Sequence, residues 1–436
     1  MNNTTSQYPP SYYAATRNKS IISSPCSNND EFETCIIGGG YAGLATALGL
    51  IERGHTSVLV IEQHHIGWGA SGRNGGFVFG GYSLGPRALV KQVGLEKARE
   101  LYSMTTDAVE LIRQRITNYK IDCDLVDEGV ILANWFKDQS LLMTEQEFMH
   151  QQMNVEWQYI APELLREKIN TDRYCGGLFE PNAMHFHPLN YALAIAEQVQ
   201  LQGGSVIEQT EVLGIDYSET EKRITTKQGV FRCKNIVIAG GGYMSGGLFS
   251  GICPPVNRSI LPIATYVMAT ESLGDDIAEY FKTKAAIYDT RFAFDYYRPL
   301  NDQRILWGGR ISASTRRPVD LEQKLRADLV KVFPDLAGVI IDYVWDGMMS
   351  YSQHQMAQIG QLQPGVWYGV GFGGHGVVPT TVAGEVLAAA ITNENNHYQK
   401  FQPWGLPWNG GPAGPVAAQL SYWWYQLKDY LKEKLE

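Results

Sequence analysis

Cys35-Ile36-Ile37-Gly38-Gly39-Gly40-Tyr41-Ala42-Gly43 leads into a helix-compatible run, Leu44 to Arg53, and then a second apolar run, Val58-Leu59-Val60-Ile61, ending at Glu62. The order is strand, tight turn, helix, strand, with glycines at the first, third and sixth places of the turn. The first lets the chain turn sharply, the second lets backbone approach a pyrophosphate, and the third lets helix and strand pack closely. A pyrophosphate placed there sits on the unpaired amides of the helix start. Glu62 stands 19 residues after Gly43, close to the spacing at which a carboxylate meets a ribose hydroxyl. A bare GxGxxG is weak evidence. Flanked by both strands and closed by an acid, it points to a bound adenine dinucleotide.

Working outward, 436 residues are too many for one simple core, and two interleaved domains are expected. Hydrophobic content of 44% with 19% charged residues describes an ordinary globular chain. The 36 basic and 45 acidic residues give a net charge of −9, which argues against a nucleic-acid footprint. The first thirty residues are polar and lack the basic start and apolar core of an export signal. No apolar run reaches the length of about 18 residues needed to span a bilayer. Six scattered cysteines form no CxxC pair and no Cys/His ligand spacing, so neither a disulfide framework nor a metal site is expected. The default location is the cytoplasm.

Strand–glycine–helix signals recur near residues 38, 240 and 374, and the intervening stretches favour antiparallel patterns. The fold expected is therefore α/β: a Rossmann-like dinucleotide domain with an inserted α+β substrate domain containing an antiparallel sheet. Residues 1–30 read as a surface arm. Residues 31–90, 175–258 and 341–395 form the discontinuous nucleotide domain, residues 91–174 and 259–340 the substrate domain, and residues 396–436 a C-terminal extension. That extension ends in an amphipathic helix with Val416, Leu420, Trp423, Leu427, Leu431 and Leu435 on one face. This face is read as docking on its own protein, with a partner or membrane surface as the alternative.

The first turn cannot separate NAD from FAD. The small-residue loop Gly67-Trp68-Gly69-Ala70-Ser71-Gly72-Arg73-Asn74-Gly75-Gly76 could run beside a large planar ligand. Gly373-Gly374-His375-Gly376 opens a late helix whose amides could stabilise negative charge on a flavin ring. Together with Ser11-Tyr12-Tyr13-Ala14-Ala15-Thr16, these strings resemble the D-amino-acid-oxidase-type FAD-dependent oxidoreductases, and within them the gamma-glutamylputrescine oxidoreductase group. The resemblance spans about residues 11–392. Phe77 departs from it, standing where the group usually carries Gln.

The resemblance implies noncovalently bound FAD, oxidation of an amine C–N bond to an imine and then an aldehyde, and transfer of electrons to oxygen as H2O2. Gly38, Gly39, Gly40, Tyr41, Ala42, Gly43, Glu62 and Gln63 would hold the ADP half. Ala70, Ser71, Arg73, Asn74, Gly75 and Gly76 would flank the pyrophosphate and flavin, Val212 would meet adenine, and Gly240 would close the pyrophosphate side. Gly374, His375, Gly376 and Val377 would meet the pyrimidine end. No cysteine follows Cys253 and no histidine lies in the 69–80 loop, so covalent attachment is not expected.

Glycine and D-amino-acid oxidase relatives read approximately Trp-x-Gly-Leu-Arg-Pro where this chain has Trp345-Asp346-Gly347-Met348-Met349-Ser350. Met349 then stands at the arginine that pairs a substrate α-carboxylate in two-pronged fashion. Amines lacking that carboxylate are expected as substrates. If another arginine meets a carboxylate, Arg298 is the rival. Tyr297 and Arg298 either line the pocket or form a cross-strand packing patch, and Arg73 either touches FAD or holds its loop. His375 acts through its backbone amide rather than as a base, and His185 and His187 read as core or capping residues. Two other readings stay open. One is an amino-acid or imino-acid oxidase or dehydrogenase of the same fold, acting on glycine, sarcosine or a D-amino acid; the other is a non-catalytic flavin-binding partner protein. Oligomeric state stays open.

Overall fold

The computed structural model describes residues 7–218, 220–244, 251–314 and 316–436. Among these residues two eight-stranded sheets organise the chain. In the first, Val366–Val370, Val230–Ile238, Glu31–Ile37, Val58–Ile61 and Ser205–Ile207 lie side by side in that order and all run parallel. Gln358–Gln363 pairs antiparallel at one edge. The hairpin of Val212–Asp216 and Lys222–Thr226 extends from Val230–Ile238. Strand residues alternate between two cores. Ile36, Val60 and Val237 face the helices Tyr41–Glu52, Pro188–Leu201 and Val377–Ile391, whereas Cys35, Ile37, Leu59, Ile61, Ile236 and Ile238 face the hairpin side. Burial on both faces is why these strands read as continuous apolar runs.

The helices cross closely because glycines permit it: a Cβ on Gly384 would lie 2.5 Å from Ala45. Arg115, 3% exposed, binds Glu52 at 2.6 Å and Glu385 at 2.5 Å, pinning Leu95–Asn118 to two of those helices. Among the described residues no helix is long and apolar enough to cross a membrane.

The second sheet runs Ile341–Tyr351, Leu261–Thr270, Ile305–Ser312, Tyr296–Pro299, Ala286–Asp289, Val130–Ala133, Gly177–Glu180, Gln158–Ile160. All its pairs are antiparallel except Ala286–Asp289 with Val130–Ala133. Its core gathers Tyr297, Trp307, Leu325, Leu329 and Phe333. Strands Gly177–Glu180 and Ile341–Tyr351 thus pair in this sheet, although the expected boundaries put 175–258 and 341–395 in the nucleotide half. Conversely Leu95–Asn118 packs on Val377–Ile391, although 91–174 was assigned to the substrate half. The chain crosses between the sheets more often than the strand–glycine signals indicate, because strand pairing rather than sequence order sets sheet membership.

Two expectations about the termini change. The N-terminal arm does not simply lie on the surface. Its residues 1–6 fall outside the described residues, but Tyr12 and Tyr13 in the short helix Tyr12–Ala15 are buried. Tyr13 packs edge-on against Trp345 and His187, and its hydroxyl accepts from Arg298 at 3.2 Å. Arg298 also donates to the carbonyls of Gly75 and Phe186, each at 2.9 Å, and to His185 Nδ1 at 3.1 Å. One buried guanidinium therefore ties the antiparallel sheet, the arm and the glycine-rich loop together.

The C-terminal helix, Ala413–Leu435, docks through the face opposite to the expected one. Gln419 accepts from the Ala313 amide at 3.0 Å, Asp429 from the Phe292 amide at 2.9 Å, and Tyr425 stacks on Phe292 with centroids 4.3 Å apart. The stripe of Val416, Leu420, Trp423, Leu427, Leu431 and Leu435 stays exposed. Hydrogen bonds and ring stacking from the narrower polar face hold the helix.

The antiparallel sheet also holds a buried acid. Glu180 pairs in register with Val130, its Oε2 has no partner among the described residues, and burial raises its pKa from 4.5 to about 7, offset in part by the Gly80 amide. The folded state thus holds this proton more tightly than the unfolded chain. Stability falls as pH rises from about 4.5 through about 7, by up to about 3 kcal/mol. Glu180→Gln carries no such proton, so urea unfolding at stepped pH should show the variant gaining on the parent across that window; a flat difference would refute the assignment. Replacing Arg298 with Met strands two carbonyls and a histidine, so a loss of about 3 kcal/mol in unfolding free energy is expected, with about 1 kcal/mol for Tyr13→Phe.

Candidate active site

A continuous cavity of about 1620 Å³ runs between the C-terminal ends of the parallel strands and the face of the antiparallel sheet. This exceeds the usual volume of a site for one drug-sized ligand, about 300–1,000 Å³, and leaves room for a dinucleotide together with a second molecule.

At one end the helix Tyr41–Glu52 begins at Gly40, which supplies no side-chain cap of its own. The Tyr41 amide donates to Ser71 Oγ at 2.9 Å, and the next amides of that turn have no intrahelical acceptor. The approach is possible only for glycine: a Cβ on Gly43 would sit 2.0 Å from the Gly38 carbonyl oxygen, and one on Gly38 would sit 2.5 Å from that of Ala239. Glu62 closes this end. Its two carboxylate oxygens accept from the amides of Gly39 at 2.7 Å and His64 at 2.8 Å, while burial raises its pKa.

Arg73 is 6% exposed and makes no ion pair with a carboxylate among the described residues. It donates to the carbonyls of Gly69 and Asp346, at 3.2 and 2.9 Å, and to the Tyr243 hydroxyl, and it lies over the rings of Trp68 and Tyr243. These acceptors are neutral, and the nearby Tyr243 and Asp346 charges only partly offset burial, which lowers the Arg73 pKa. Open amides at a helix start, a glycine cradle and a buried cation bonded to neutral acceptors together fit the pyrophosphate of FAD.

Gly38, Gly40, Tyr41, Ala42, Glu62, Gln63, Ala70, Ser71, Arg73, Asn74, Gly75, Val212, Gly240, Gly374, His375, Gly376 and Val377 all line the cavity. Gly39, Gly43 and Gly76 lie behind that lining. Gly39 is spent on Glu62 and Gly43 on helix–strand packing, and Gly76, at φ +80°, backs onto the Phe186 carbonyl.

At the other end the helix Val377–Ile391 starts from Gly376. The amides of Gly374 and His375 both donate to Ser83 Oγ, at 2.8 and 3.2 Å. The unpaired amides of the first helical turn lie just beyond, and Val377 and Val378 line the cavity. Met349 lines the same end, its sulfur 3.5 Å from where a Gly374 Cβ would stand. The wall opposite is aromatic. Phe79 stacks on Tyr288 at 5.4 Å, Phe77 meets Tyr296 edge-on at 5.6 Å, and Phe294 meets Tyr288 at 6.0 Å.

Two expected pocket residues are elsewhere. Tyr297 is fully buried, stacked on Trp307 at 4.5 Å with its hydroxyl 3.0 Å from that of Tyr174. Arg298 is the clamp described above and is absent from the cavity wall. Tyr296, one residue earlier on the strand, lines the cavity instead, because side chains alternate between faces. His375, His185 and His187 are not placed as ready bases. His375 donates Nε2–H to the Phe79 carbonyl at 3.0 Å and burial lowers its pKa, while burial and the Arg298 charge push His185 and His187 down to about 3. His187 caps Pro188–Leu201 by accepting from the Asn190 amide.

Sequence reasoning missed Ser83, Tyr243, Tyr296, Arg310 and the cavity-lining part of the last helix, including Ser421 and Tyr422. Strict alternation along Tyr296–Pro299 could have found Tyr296. No local signal marks the others, which reach the cavity from distant segments.

Residues 33–390 match the family model described as DAO, FAD dependent oxidoreductase. The chain is 34% identical to gamma-glutamylputrescine oxidoreductase of Escherichia coli (strain K12) over 427 residues, covering 97% of this chain and 98% of that protein. It is 31% identical to a probable oxidoreductase OrdL of Haemophilus influenzae (strain ATCC 51907 / DSM 11121 / KW20 / Rd) over 427 residues, covering 96% and 97%. Its fold is similar to the crystal structure of glycine oxidase from Bacillus cereus ATCC 14579, with TM-score 0.71, 20% identity, and 86% of this chain and 98% of that one covered. A glycine cradle shaped for a dinucleotide and a match over most of the sequence agree: the chain belongs to the DAO family of FAD-dependent oxidoreductases.

Proposed function

We propose that this chain is an amine oxidase. It would convert an amine with no carboxylate on the reacting carbon to an imine, which water splits to aldehyde and ammonia, with dioxygen reduced to hydrogen peroxide. For a primary amine the net balance is amine plus O2 plus water giving aldehyde, ammonia and H2O2. The relative named gamma-glutamylputrescine oxidoreductase supports an amide-linked diamine as the substrate type.

The observation that carries the reading is the neutral Met349 at the Gly374 end of the cavity, combined with the withdrawal of Arg298 into the clamp. A carboxylate on the reacting carbon would be desolvated there without a charged partner. Bound FAD supplies the two-electron acceptor for the C–N oxidation. The protein residues orient and desolvate. Phe77, Phe79, Tyr288 and Tyr296 form an apolar wall that favours the neutral form of an entering amine. His375, with Nε2 engaged by Phe79, holds that wall in place rather than removing a proton. Noncovalent binding is supported by a cavity lining that holds no cysteine among the described residues. Six free cysteines are consistent with a cytoplasmic setting.

Purified holoenzyme offered gamma-glutamylputrescine, putrescine, butylamine, glycine, sarcosine and D-alanine should release peroxide with the amines at a rate matching their loss. Rapid turnover of glycine or sarcosine with none of the amines would overturn the reading; amine loss that requires an added electron carrier would convert it to a dehydrogenase. For the cofactor, Arg73→Met should weaken FAD retention about tenfold or more, read as flavin fluorescence released on dilution. Acid precipitation should leave the yellow colour in the supernatant.

A further inference from the structure

The helix Ala413–Leu435 leaves its strongest sequence feature uncovered. At about 3.6 residues per turn, Val416, Leu420, Trp423, Leu427, Leu431 and Leu435 recur at spacings of three and four and share one face. Trp424 and Tyr430 widen that face on either flank. All of these side chains are exposed, Trp423 to 57% and Trp424 to 56%. A continuous apolar strip along a helix of 23 residues, about 35 Å, marks an interaction surface rather than a solvated one.

The charges of the segment are sorted by face. Its acids are Asp429, Glu433 and Glu436, and each is turned to the protein. Asp429 accepts from the Phe292 amide at 2.9 Å, Glu433 pairs with Arg173 at 2.6 Å, and Glu436 accepts from the Lys137 amide at 2.6 Å. Lys432 also leans inward, 4.2 Å from the Phe136 ring centre. Lys428 and Lys434 go the other way. Lys428 lies over the ring of Trp424 and Lys434 over that of Tyr430, and neither makes an ion pair among the described residues. The free face therefore carries leucines and aromatic rings, with lysines as its charges. The neighbouring loop has the same character. Downstream of Ala313, whose amide binds Gln419, Arg316, Arg317 and Val319 are exposed, and the next acid, Asp320, is paired with Lys324.

This combination discriminates between occupants. A second copy seated here on a two-fold axis would bring the same patch to itself, lysines included, with no acid on either side to answer them. The helix is not apolar enough to cross a bilayer. The surface of a bilayer answers every feature. Acyl chains take the leucines, indole and phenol rings sit at headgroup depth, and lysine stems run along the apolar face to reach lipid phosphates.

We propose that the exposed face of Ala413–Leu435 seats this protein, reversibly and in the plane of the interface, on a membrane surface rich in anionic lipid. The proposal goes beyond the oxidase reading and does not depend on it. With a net charge of −9, most of the molecule is repelled by such a surface, so the lysines and adjoining arginines fix one orientation. The cavity then lies at the bilayer. Ala418, Ser421 and Tyr422 of the same helix line its wall, so a molecule held against them is one helix diameter, about 10 Å, from the headgroups.

The test floats FAD-loaded holoenzyme through a density gradient with vesicles of phosphatidylcholine alone, or of phosphatidylcholine and phosphatidylglycerol in equal amounts. At low salt the anionic vesicles should carry at least about tenfold more enzyme than the neutral ones, and raised salt should release it. Tryptophan emission should shift to the blue on binding. Lys428→Glu combined with Lys434→Glu should lower the bound fraction about tenfold. Leu420→Gln combined with Leu431→Gln should lower it at least about tenfold, with flavin content and circular dichroism unchanged in both variants. Holoenzyme that floats with neither vesicle, or equally with both, overturns the proposal, and so do variants that bind like the parent. A stable dimer in solution that Leu420→Gln with Leu431→Gln dissociates also overturns it, because a second copy then covers the stripe.

Discussion

The fold depends on the close backbone contact between the start of the first long helix and the turn before it. No side-chain atom can stand between Gly43 and the Gly38 carbonyl, where a Cβ would come within 2.0 Å. That contact sets the helix start directly over the strand ends and leaves its first amides open to the cavity. The late helix shares the constraint through Gly384 against Ala45, so both helix starts point into one space. The cavity exists because backbone meets backbone at these places.

Charge inside the molecule is handled in two ways. Arg115 is compensated by Glu52 and Glu385, and Arg291 by Asp289 and Asp295; these groups hold elements together and have little left for a ligand. Arg73 and Arg298 are buried against neutral acceptors, so their charge persists in a low-dielectric setting beside the glycine-rich loop. Arg73 lines the cavity beside that loop. Arg298 does the equivalent work for shape, joining arm, loop and sheet without entering the cavity.

The aromatic wall and the last helix complete the site from opposite directions. Phe77 and Phe79 come from the loop after the second strand, whereas Tyr288 and Tyr296 come from neighbouring strands of the second sheet. The helix Ala413–Leu435 reaches the same cavity from the far end of the chain, held by Gln419, Tyr422 and Asp429. Its apolar stripe is the stronger sequence feature, yet the docking face is the weaker one, because hydrogen bonds to exposed strand and loop amides favour polar side chains.

The sequence by itself determined the dinucleotide half. Glycine spacing, flanking apolar runs and the closing Glu62 are local, and local backbone geometry follows from local residue type. The family resemblance and most of the cavity-lining residues of that half were legible for the same reason. Tertiary structure alone decided which arginines face the ligand, that Tyr296 rather than Tyr297 lines the wall, which sheet Gly177–Glu180 and Ile341–Tyr351 join, and which face of the last helix docks. Each of these depends on partners tens or hundreds of residues away. An arginine carries the same charge wherever it stands, and only the acceptors that folding brings to it determine whether that charge remains available.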